Sequence, residues 1–384
     1  MIVAGVMSGT SADGINVALV RISSSSARML GPKLKLVGHA EFPYPPRVRK
    51  AVLAAMNSSR ASVADLARLN FLLAELYADA VLATQRQFNV KPALVGCHGQ
   101  TLYHQGQAME FLGRRLAVTW QTGDGSIIAA RVGVPVVTDF RPADMAAGGK
   151  GAPLVPFLDY LIYSDQRVGR IVQNIGGIAN LTAIPPAATS NRRMAFDTGP
   201  GNMVIDEVTS RFFGKPFDRD GRIAAAGSVL ESVVKETLRA PFFQLSPPRT
   251  AGREEFGREF VQHFIRKCGR AKKPDVVATA TALTARSISQ AVKQFVTKKT
   301  TVYRDLVVSG GGTQNPTLMA MLANELKPLG LQLRSSDEFG IPSEAKEAVA
   351  FALLAYQTWN RQPSNIPSAT GARRPAILGK VSYV

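Results

Sequence analysis

Three glycine-rich segments follow apolar stretches that we predict to be β-strands. They read SGTSADG at 8–14, NIGGIAN at 174–180 and SGGGTQNP at 309–316. Glycine lets backbone N–H groups approach phosphate oxygens, because no Cβ stands in the way. Each segment alone is typical of a tight turn. The three together, in this order, indicate a site for a phosphate-bearing ligand.

Asp13, within the first segment, is the residue that we expect to hold magnesium. Mg²⁺ prefers one or two carboxylates together with waters and phosphate oxygens, so Asp13 would bind the ion directly or through a water. An Asp–Gly pair is also common in simple turns. The two further glycine segments favour the magnesium site over the simple turn.

Asp197 follows a predicted strand, in the segment FDTGPGN at 196–202. A structural role for it would be a cap on the helix that we predict from Met203 to about Phe213. Its distance from that helix start disfavours the cap.

Two further residues stay open between a binding role and a structural one. His98 follows the buried strand predicted at 93–97, and it could bind substrate or be a buried structural histidine. Glu347 shares a helix face with Glu344 and could face either a site or solvent. Cys97 is not expected to be a nucleophile, because no third group that would orient a Cys–His pair is apparent.

The glycine segments lie between elements that repeat along the chain. The first connects two predicted strands, 2–7 and 15–22, and Gly176–Gly177 connects two more, 170–175 and 178–184. In a Rossmann or P-loop unit a helix would follow the glycines instead. A strand–turn–strand pattern that recurs after about 165 residues indicates a structural repeat.

Helices alternate with these strands and complete an α/β pattern. A long helix that begins after Ser62, its predicted N-cap, carries apolar residues at helical spacing. Asn315 and Pro316 have the residue types that begin a helix. Ser343 is the predicted cap of a last helix that reaches Trp359.

Composition bounds the class of protein. The 384 residues are 46% hydrophobic and 19% charged, which is typical of a globular protein with two domains. No apolar run approaches the roughly 20 residues of a membrane span, and we identify no signal peptide. The two cysteines form no CxxC motif and fit a reducing cytoplasm.

The net charge of +18 favours anionic ligands. The densest basic cluster, at 266–273, has no interleaved aromatic residues and lies in no nucleic-acid motif. We therefore expect it to be a solvated helix end, and we predict neither a nucleic-acid partner nor a membrane partner.

Longer motifs make the class more specific. They occur in this order: GVMSGTSADGIN, CHGQT, TDFRPADMAAGGKGAPLVP, NIGGIANLT, FDTGPGN, DRDGRIAAAG, SGGGTQNP and EAKEAVAFALLA. Together they resemble the anhydro-N-acetylmuramic acid kinase family, over about Val3 to Ala369. The resemblance implies an α/β fold of two actin-like (ribonuclease H-like) domains with an interdomain cleft. We expect the first domain at 1–135 plus 365–384 and the second at 136–364.

The resemblance also implies a reaction. ATP would transfer its γ-phosphate to O6 of 1,6-anhydro-N-acetylmuramic acid while water opens the anhydro bridge, with Asp197 as the base. The setting would be peptidoglycan recycling in a bacterial cytoplasm, and the enzyme would be a homodimer. The implied sugar-binding residues are His98, Arg141, Asp144 and Glu347. The implied ATP-binding residues are Gly9, Thr10, Ser11, Ala12, Asp13, Gly14, Ile15, Asn16, Gly176, Gly177, Gly310, Gly311, Gly312 and Asn315.

Three positions depart from the family pattern. Asn16 stands where the first glycine loop usually ends in aspartate, which puts the handling of the metal in question. Ala12 replaces a methionine. Lys150 replaces a glutamine in the loop AAGGKGAP and could touch an anionic ligand group or only solvent.

Two rival functions remain at this point. A kinase for another anhydrosugar, such as levoglucosan, would share the bridge but lack the acetamido and lactyl groups, and such specificity rests on few contacts. An ATPase of the Hsp70 or actin kind is the rival from another class. Against it stand the AAGGKGAP and FDTGPGN segments and the lack of a peptide-binding domain after the ATPase core.

Overall fold

Two mixed β-sheets organise the chain. The computed structural model describes residues 1–24, 31–56, 58–186, 194–247, 249–297 and 302–384. These residues form two units, of which the first comprises Met1–Leu161 with Gly340–Val384 and the second Ile162–Phe339.

The first unit contains a six-stranded sheet and a two-stranded ribbon. Its strands are β1 (Ile2–Met7), β2 (Gly14–Ser23), β3 (Lys33–Pro43), β4 (Leu94–Cys97), β5 (Gln100–Phe111), β6 (Arg114–Thr122), β7 (Val136–Thr138) and, near the C-terminus, β13 (Lys380–Ser382). The sheet has the order β13-β7-β4-β1-β2-β3, and β5 pairs with β6 alone. Strand β2 runs antiparallel to β1 and β3, whereas β1, β4 and β7 run parallel.

The second unit repeats this arrangement. Its strands are β8 (Gly169–Ile175), β9 (Ile178–Ile184), β10 (Met194–Pro200), β11 (Tyr303–Ser309) and β12 (Gln332–Ser335), in the order β10-β9-β8-β11-β12. Strand β9 is antiparallel to β8 and β10, and β8, β11 and β12 are parallel. Three antiparallel strands followed by two parallel ones therefore occur twice. The predicted repeat and the predicted actin-like fold class are confirmed.

Helices cover both sheets. In chain order they are α1 (Pro46–Ala55), α2 (Val63–Phe88), α3 (Gly125–Val132), α4 (Phe140–Ala146), α5 (Pro156–Tyr163), α6 (Asn202–Phe213), α7 (Arg222–Ala225), α8 (Glu231–Thr237), α9 (Pro241–Gln244), α10 (Arg253–Phe256), α11 (Arg258–Cys268), α12 (Lys273–Ala291), α13 (Pro316–Leu326), α14 (Lys346–Trp359) and α15 (Pro367–Thr370). Within the described ranges, none of these helices has both the length and the apolar character needed to cross a membrane.

The predicted helix caps are confirmed except for one. Ser62 accepts a hydrogen bond from the Asp65 N–H at the start of α2, and Asn315 accepts one from the Leu318 N–H at the start of α13. The prediction for Ser343 was wrong, because α14 begins three residues later and its N-cap is Ala345.

Helix α14 lies unusually close to the centre of the first sheet. Gly5 on β1 and Gly96 on β4 are paired residues, and both face the helix. A Cβ on Gly5 would overlap the carbonyl oxygen of Ala348, and one on Gly96 would overlap that of Phe351. Glycine at both positions is therefore needed for the backbone of α14 to contact the sheet.

This contact also corrects the predicted domain boundaries. Strand β7 pairs with β4, and α14 packs on β1 and β4, so both belong to the first unit. The predicted boundaries at 135 and 364 assigned them to the second domain. In the structure the chain passes between units after Leu161 and after Phe339.

Replacing Gly5 with alanine should lower the free energy of unfolding by about 2 kcal/mol or more, because the new methyl group forces α14 away from the sheet. Gly113→Ala is the control, since nothing lies within 4 Å of a Cβ there and only its positive φ is strained. Urea unfolding of the full chain measures both. Equal losses for the two variants would contradict the close packing.

Candidate active site

The first glycine loop is shaped from within by buried polar side chains. Ser8 donates its hydroxyl proton to Gln100 Oε1 at 2.7 Å and accepts one from the Tyr44 hydroxyl at 2.9 Å. Gln100 Nε2 then donates to the Gly9 carbonyl at 3.1 Å. The Ala12 N–H closes the turn onto the same carbonyl, with Ala12 at a φ of 52°. Thr10 and Ser11 remain exposed at the tip.

Asp13 suits the magnesium role predicted for it. Its side chain is 71% exposed, and Arg49 Nη2 lies 3.1 Å from Oδ1. An open carboxylate of this kind can hold Mg²⁺ directly or through a water. Asn16 is engaged elsewhere, because its Oδ1 lies 2.9 Å from His39 Nε2 on β3.

Arg141 is the central charged residue of the first unit. It lies in the first turn of α4, and its Nη2 and Nε lie 2.9 and 3.2 Å from Nε2 of His98. Its Nη1 donates to the Gly151 carbonyl at 2.8 Å. These contacts hold the guanidinium plane in one orientation.

His98 is a neutral hydrogen-bond acceptor for that guanidinium. Its Nδ1 lies 2.7 Å from the Gly99 carbonyl, so Nδ1 carries the proton and Nε2 presents its lone pair to Arg141. Burial, and then the Arg141 charge, lower the pKa of His98 to about 3. His98 is therefore a buried residue that orients Arg141, and its binding role stays a prediction.

Glu347 is brought towards Arg141 by the first turn of α14. Its side chain is exposed to solvent. Nevertheless, the surrounding protein atoms desolvate the carboxyl and raise its pKa, although the positive charges of Lys346 and Arg141 act to lower it. Burial in turn lowers the pKa of Arg141 to about 10, although Glu347 and Asp144 favour its charged form. Glu344 lies elsewhere, where its charge acts on His39.

Asp144 lies behind this group and holds the loop AAGGKGAP in place. It is fully buried, and its Oδ1 accepts hydrogen bonds from Asn365 Nδ2 and Thr370 Oγ1, both at 2.7 Å. Its Oδ2 accepts one from the Gly151 N–H at 2.8 Å. Asp144 therefore holds the loop to the C-terminal segment, and its predicted sugar contact stays a prediction. Lys150 is half-buried, and its N–H donates to the Thr370 carbonyl at 2.8 Å.

His104 is a residue of this group that the sequence did not single out. Its Nδ1 lies 3.0 Å from Thr119 Oγ1 within the β5–β6 ribbon. Burial and the Arg141 charge lower its pKa to about 4, so two neutral histidines accompany one guanidinium. No motif marks His104 in the sequence, because its position depends on the register of the ribbon.

In the second unit, the Gly176–Gly177 turn closes the start of α6. The N–H groups of Gly201 and Met203 donate to the Gly177 carbonyl at 2.9 and 3.1 Å, and that of Asn202 to the Gly176 carbonyl at 2.7 Å. The carbonyl oxygens of this turn therefore accept hydrogen bonds from backbone N–H groups of the protein. A Cβ on Gly201 would overlap the Gly176 carbonyl, so FDTGPGN needs glycine there.

The third glycine segment lies against the same turn. Gly310, at a φ of 90°, lies beside Asn174 and Ile175, and Gly312 packs on Ile175. The second and third segments, predicted from distant parts of the sequence, are thus adjacent in one unit. Asn315 is buried and uses its side chain as the cap of α13.

Asp197 is not a helix cap. The N-cap of α6 is Gly201, without a side-chain hydrogen bond, and Asp197 lies at an irregularity in the β9–β10 pairing. Its Oδ2 accepts the Ala251 N–H at 2.7 Å, and its N–H donates to the Arg249 carbonyl at 3.1 Å. The side chain is half-buried, and its role as general base stays a prediction.

Arg249 organises the backbone around Asp197, and sequence reasoning missed it. It is 5% exposed, and its guanidinium donates to the carbonyls of residues 197, 198, 242, 243 and 245. The rings of Phe196, Phe242 and Phe295 lie about it at 4.9–5.3 Å. Burial lowers the pKa of Arg249 to about 10 against the opposing charge of Asp197.

These features define the class and, with known relatives, the family. Two α/β units of one strand order, with glycine turns at their strand ends, define the actin-like fold class. The family model for anhydro-N-acetylmuramic acid kinase matches residues 1–384. The chain therefore belongs to the anhydro-N-acetylmuramic acid kinase family.

The chain is similar to named relatives over almost its whole length. A Bacillus cereus (strain AH187) protein of that name is 40% identical over 386 residues, covering 100% of this chain and 99% of its own. One from Caldanaerobacter subterraneus subsp. tengcongensis is 42% identical over 388 residues, covering 99% and 96%. A xylulose kinase from Lactobacillus acidophilus is 10% identical, with a TM-score of 0.49 and coverage of 100% and 93%.

Replacing His98 with glutamine should make the free energy of unfolding fall less steeply as the pH is lowered. The folded-state pKa of about 3 lies below the ordinary 6.5, so the unfolded chain binds the proton first and stability is lost as pH falls from about 6.5 towards 3. Between pH 6 and 4 the wild type should lose about 1.4 kcal/mol per pH unit more than the variant. Urea titrations at each pH measure this difference.

The control for that experiment is His263→Gln, which changes an exposed histidine on α11. It should leave the pH profile as it is in the wild type. Parallel profiles for the wild type and His98→Gln would show that His98 is not held neutral by its surroundings.

Proposed function

We propose that this kinase transfers the γ-phosphate of ATP to O6 of 1,6-anhydro-N-acetylmuramic acid while water opens the anhydro bridge. The products are ADP and N-acetylmuramic acid 6-phosphate, and the setting is peptidoglycan recycling in the cytoplasm. The observation that carries the proposal is the fixed Arg141 guanidinium beside Glu347, in a chain matched along its whole length by one kinase family.

Arg141 supplies the recognition of the sugar. A guanidinium presents five donors in a rigid plane and pairs well with a carboxylate, such as that of the lactyl group. Because His98 and the Gly151 carbonyl already hold its orientation, little freedom is lost when the sugar binds. Glu347 is the acceptor that we assign to a sugar hydroxyl or amide.

Asp197 takes the proton from the attacking water. The water oxygen forms a bond to the anomeric carbon as the bond from that carbon to O6 breaks, and O6 bonds to the γ-phosphorus as ADP leaves. Each change helps the other, because the charge that develops on O6 passes to the phosphoryl group. The Ala251 N–H keeps the Asp197 carboxylate in place.

The glycine segments and Asp13 would hold the Mg·ATP complex. The first loop and the Gly176–Gly177 turn are assigned to the phosphates, and Gly310–Gly312 to the adenosine side. Asp13 would hold Mg²⁺, which neutralises charge on the β- and γ-phosphates when bound. Its exposed carboxylate fits that role, whereas Asn16 is turned towards His39.

The homodimer expected from the family resemblance belongs to the same proposal. The β5–β6 ribbon exposes a set of large apolar side chains, and apolar groups gathered on a surface often mark an association site. Their exposed fractions lie between 44% and 89%: Trp120, Met109, Phe111 and Leu112.

A comparison of three anhydrosugars, with ADP release as the readout, tests the proposal. 1,6-Anhydro-N-acetylmuramic acid should exceed levoglucosan by well over tenfold in kcat/KM, since an unpaired site for a charged group costs more than about 1.4 kcal/mol. 1,6-Anhydro-N-acetylglucosamine, which lacks only the lactyl group, isolates the contribution of that carboxylate. A preference for levoglucosan would make the chain a kinase for the rival sugar.

The matched inactive control is Asp197→Asn, which keeps the size and the Ala251 contact but cannot accept the proton. It should lower turnover by roughly 10² or more while sugar binding is kept. Near-normal turnover in a well-folded variant would remove Asp197 from the mechanism.

A further inference from the structure

Lys346 is a buried cation that neither the proposed sugar contacts nor the proposed ATP contacts use. It belongs to the motif EAKEAVAFALLA, directly before Glu347, and it is the first residue of α14. It is 3% exposed, and its Nζ lies 2.7 Å from Oδ1 of Asp159, which is 5% exposed on α5. Both residues belong to the first unit. The ion pair therefore ties α5 to the start of α14.

Stability alone does not explain this ion pair. A lysine in the first turn of a helix adds positive charge at the positive end of the helix dipole. Two charges taken out of water lose hydration that their attraction restores only in part, so an apolar pair of similar volume is often at least as stable. Desolvation raises the pKa of Asp159 even though the charge and the hydrogen bond of Lys346 act to lower it. The pair is therefore better explained by its effect on a neighbouring group.

Glu347 is the neighbouring group on which the Lys346 charge acts. Desolvation by the surrounding protein raises the pKa of Glu347, and the charge of Lys346 opposes this rise more strongly than the charge of Arg141 does. A nearby positive charge favours the ionised form of a carboxyl group. Lys346 is therefore the main charge that keeps Glu347 ionised in these surroundings.

The same ion pair fixes the turn of α14 that carries Glu347. The backbone of the helix rests on β1 and β4, where Gly5 and Gly96 leave no room for a side chain. At the start of the helix, Asp159 holds the Nζ of Lys346. Rotation of α14 about its axis would pull this Nζ away from the carboxylate. The position of Glu347, one residue further on, is therefore fixed relative to the first sheet.

We propose that Lys346, anchored by Asp159, is a positioning residue for Glu347, which it holds in place and keeps ionised for sugar binding. This inference rests on the proposed function, in which Glu347 accepts a hydrogen bond from a sugar hydroxyl or amide. In that function Arg141 pairs with the lactyl carboxylate of the sugar. The charge of Lys346 then remains to favour an ionised Glu347 while the sugar carboxylate offsets that of Arg141.

Between pH 6 and 8, the other titratable groups around Arg141 and Glu347 keep their charge state. Burial lowers the pKa of Arg141 only to about 10, so the guanidinium stays cationic. The carboxyl of Asp144, which also acts on Arg141, accepts hydrogen bonds from three donors. Burial keeps the remaining groups neutral, with pKa values of about 3, 4 and 12: His98, His104 and Cys97. A change in sugar affinity over this range that Glu347→Gln abolishes therefore reports the ionisation of Glu347.

Two double variants remove the Lys346 charge and leave a matched pair in its place. Lys346→Met with Asp159→Leu substitutes an apolar pair, and Lys346→Gln with Asp159→Asn substitutes two amides. The ionisation of Glu347 is followed by ¹³C NMR of the full chain labelled at its glutamate carboxyl carbons, and Glu347→Gln identifies the resonance. In both double variants this resonance should titrate at higher pH than in the wild type. The measurement requires no sugar.

Calorimetry with 1,6-anhydro-N-acetylmuramic acid measures the consequence for binding. The ratio of the Kd at pH 6 to the Kd at pH 8 should be larger in the double variants than in the wild type by about threefold or more, because a larger fraction of Glu347 is protonated at pH 6. Glu347→Gln should lack this pH dependence. Lys91→Gln is the control, since it removes one positive charge from an exposed side chain of the same unit and should change neither titration.

An unchanged Glu347 titration in the double variants would overturn the inference. Failure of both double variants to fold would overturn it as well, because the pair would then be structural. Failure of the proposed function would show separately. In that case the wild type would release no ADP in response to the sugar, or Glu347→Gln would bind the sugar as the wild type does while the NMR titration is shifted as expected.

Discussion

The contact of α14 with two paired glycines at the centre of the first sheet is the constraint that sets the position of Glu347 relative to Arg141. Because Gly5 and Gly96 carry no side chain, the helix backbone rests on the strands themselves. This depth places the first turn of α14, with Glu347, beside Arg141. It also buries Lys346 against Asp159, with Nζ 2.7 Å from Oδ1. In the second unit, glycine likewise permits a close backbone contact, because a Cβ on Gly201 would overlap the Gly176 carbonyl.

Burial sets the charges in the first unit. His98 and His104 are both held neutral, with pKa values lowered to about 3 and 4, so neither histidine adds a positive charge near Arg141. His98 orients the guanidinium as a neutral acceptor, and the nearby charges that favour the cationic form of Arg141 are those of Glu347 and Asp144. Asp144 orders the loop and the C-terminal segment, because its oxygens accept hydrogen bonds from both.

Strands, turns and helix caps could be predicted where neighbouring residues determine them. The candidate site could be predicted only in part. Hairpins around the glycine loops and the caps Ser62 and Asn315 follow from neighbouring residues. The sheet on which α14 packs does not, since its partners Gly5 and Gly96 are some 250–340 residues away in sequence. The role of Asp144 likewise depends on Asn365 and Thr370, 221 and 226 residues further on. Arg249 lies outside any of the motifs, and its hydrogen bonds to backbone carbonyls become evident only in the folded structure.

The site of isotope incorporation tests the central claim, that one reaction opens the bridge and phosphorylates O6. In ¹⁸O-water with ATP, the product should carry the label on its anomeric oxygen and none in the phosphate ester, and no bridge should open without ATP. Unlabelled product kept in the same water corrects for exchange at the anomeric centre. Label in the phosphate ester, or a phosphorylated sugar whose bridge is intact, would contradict the account.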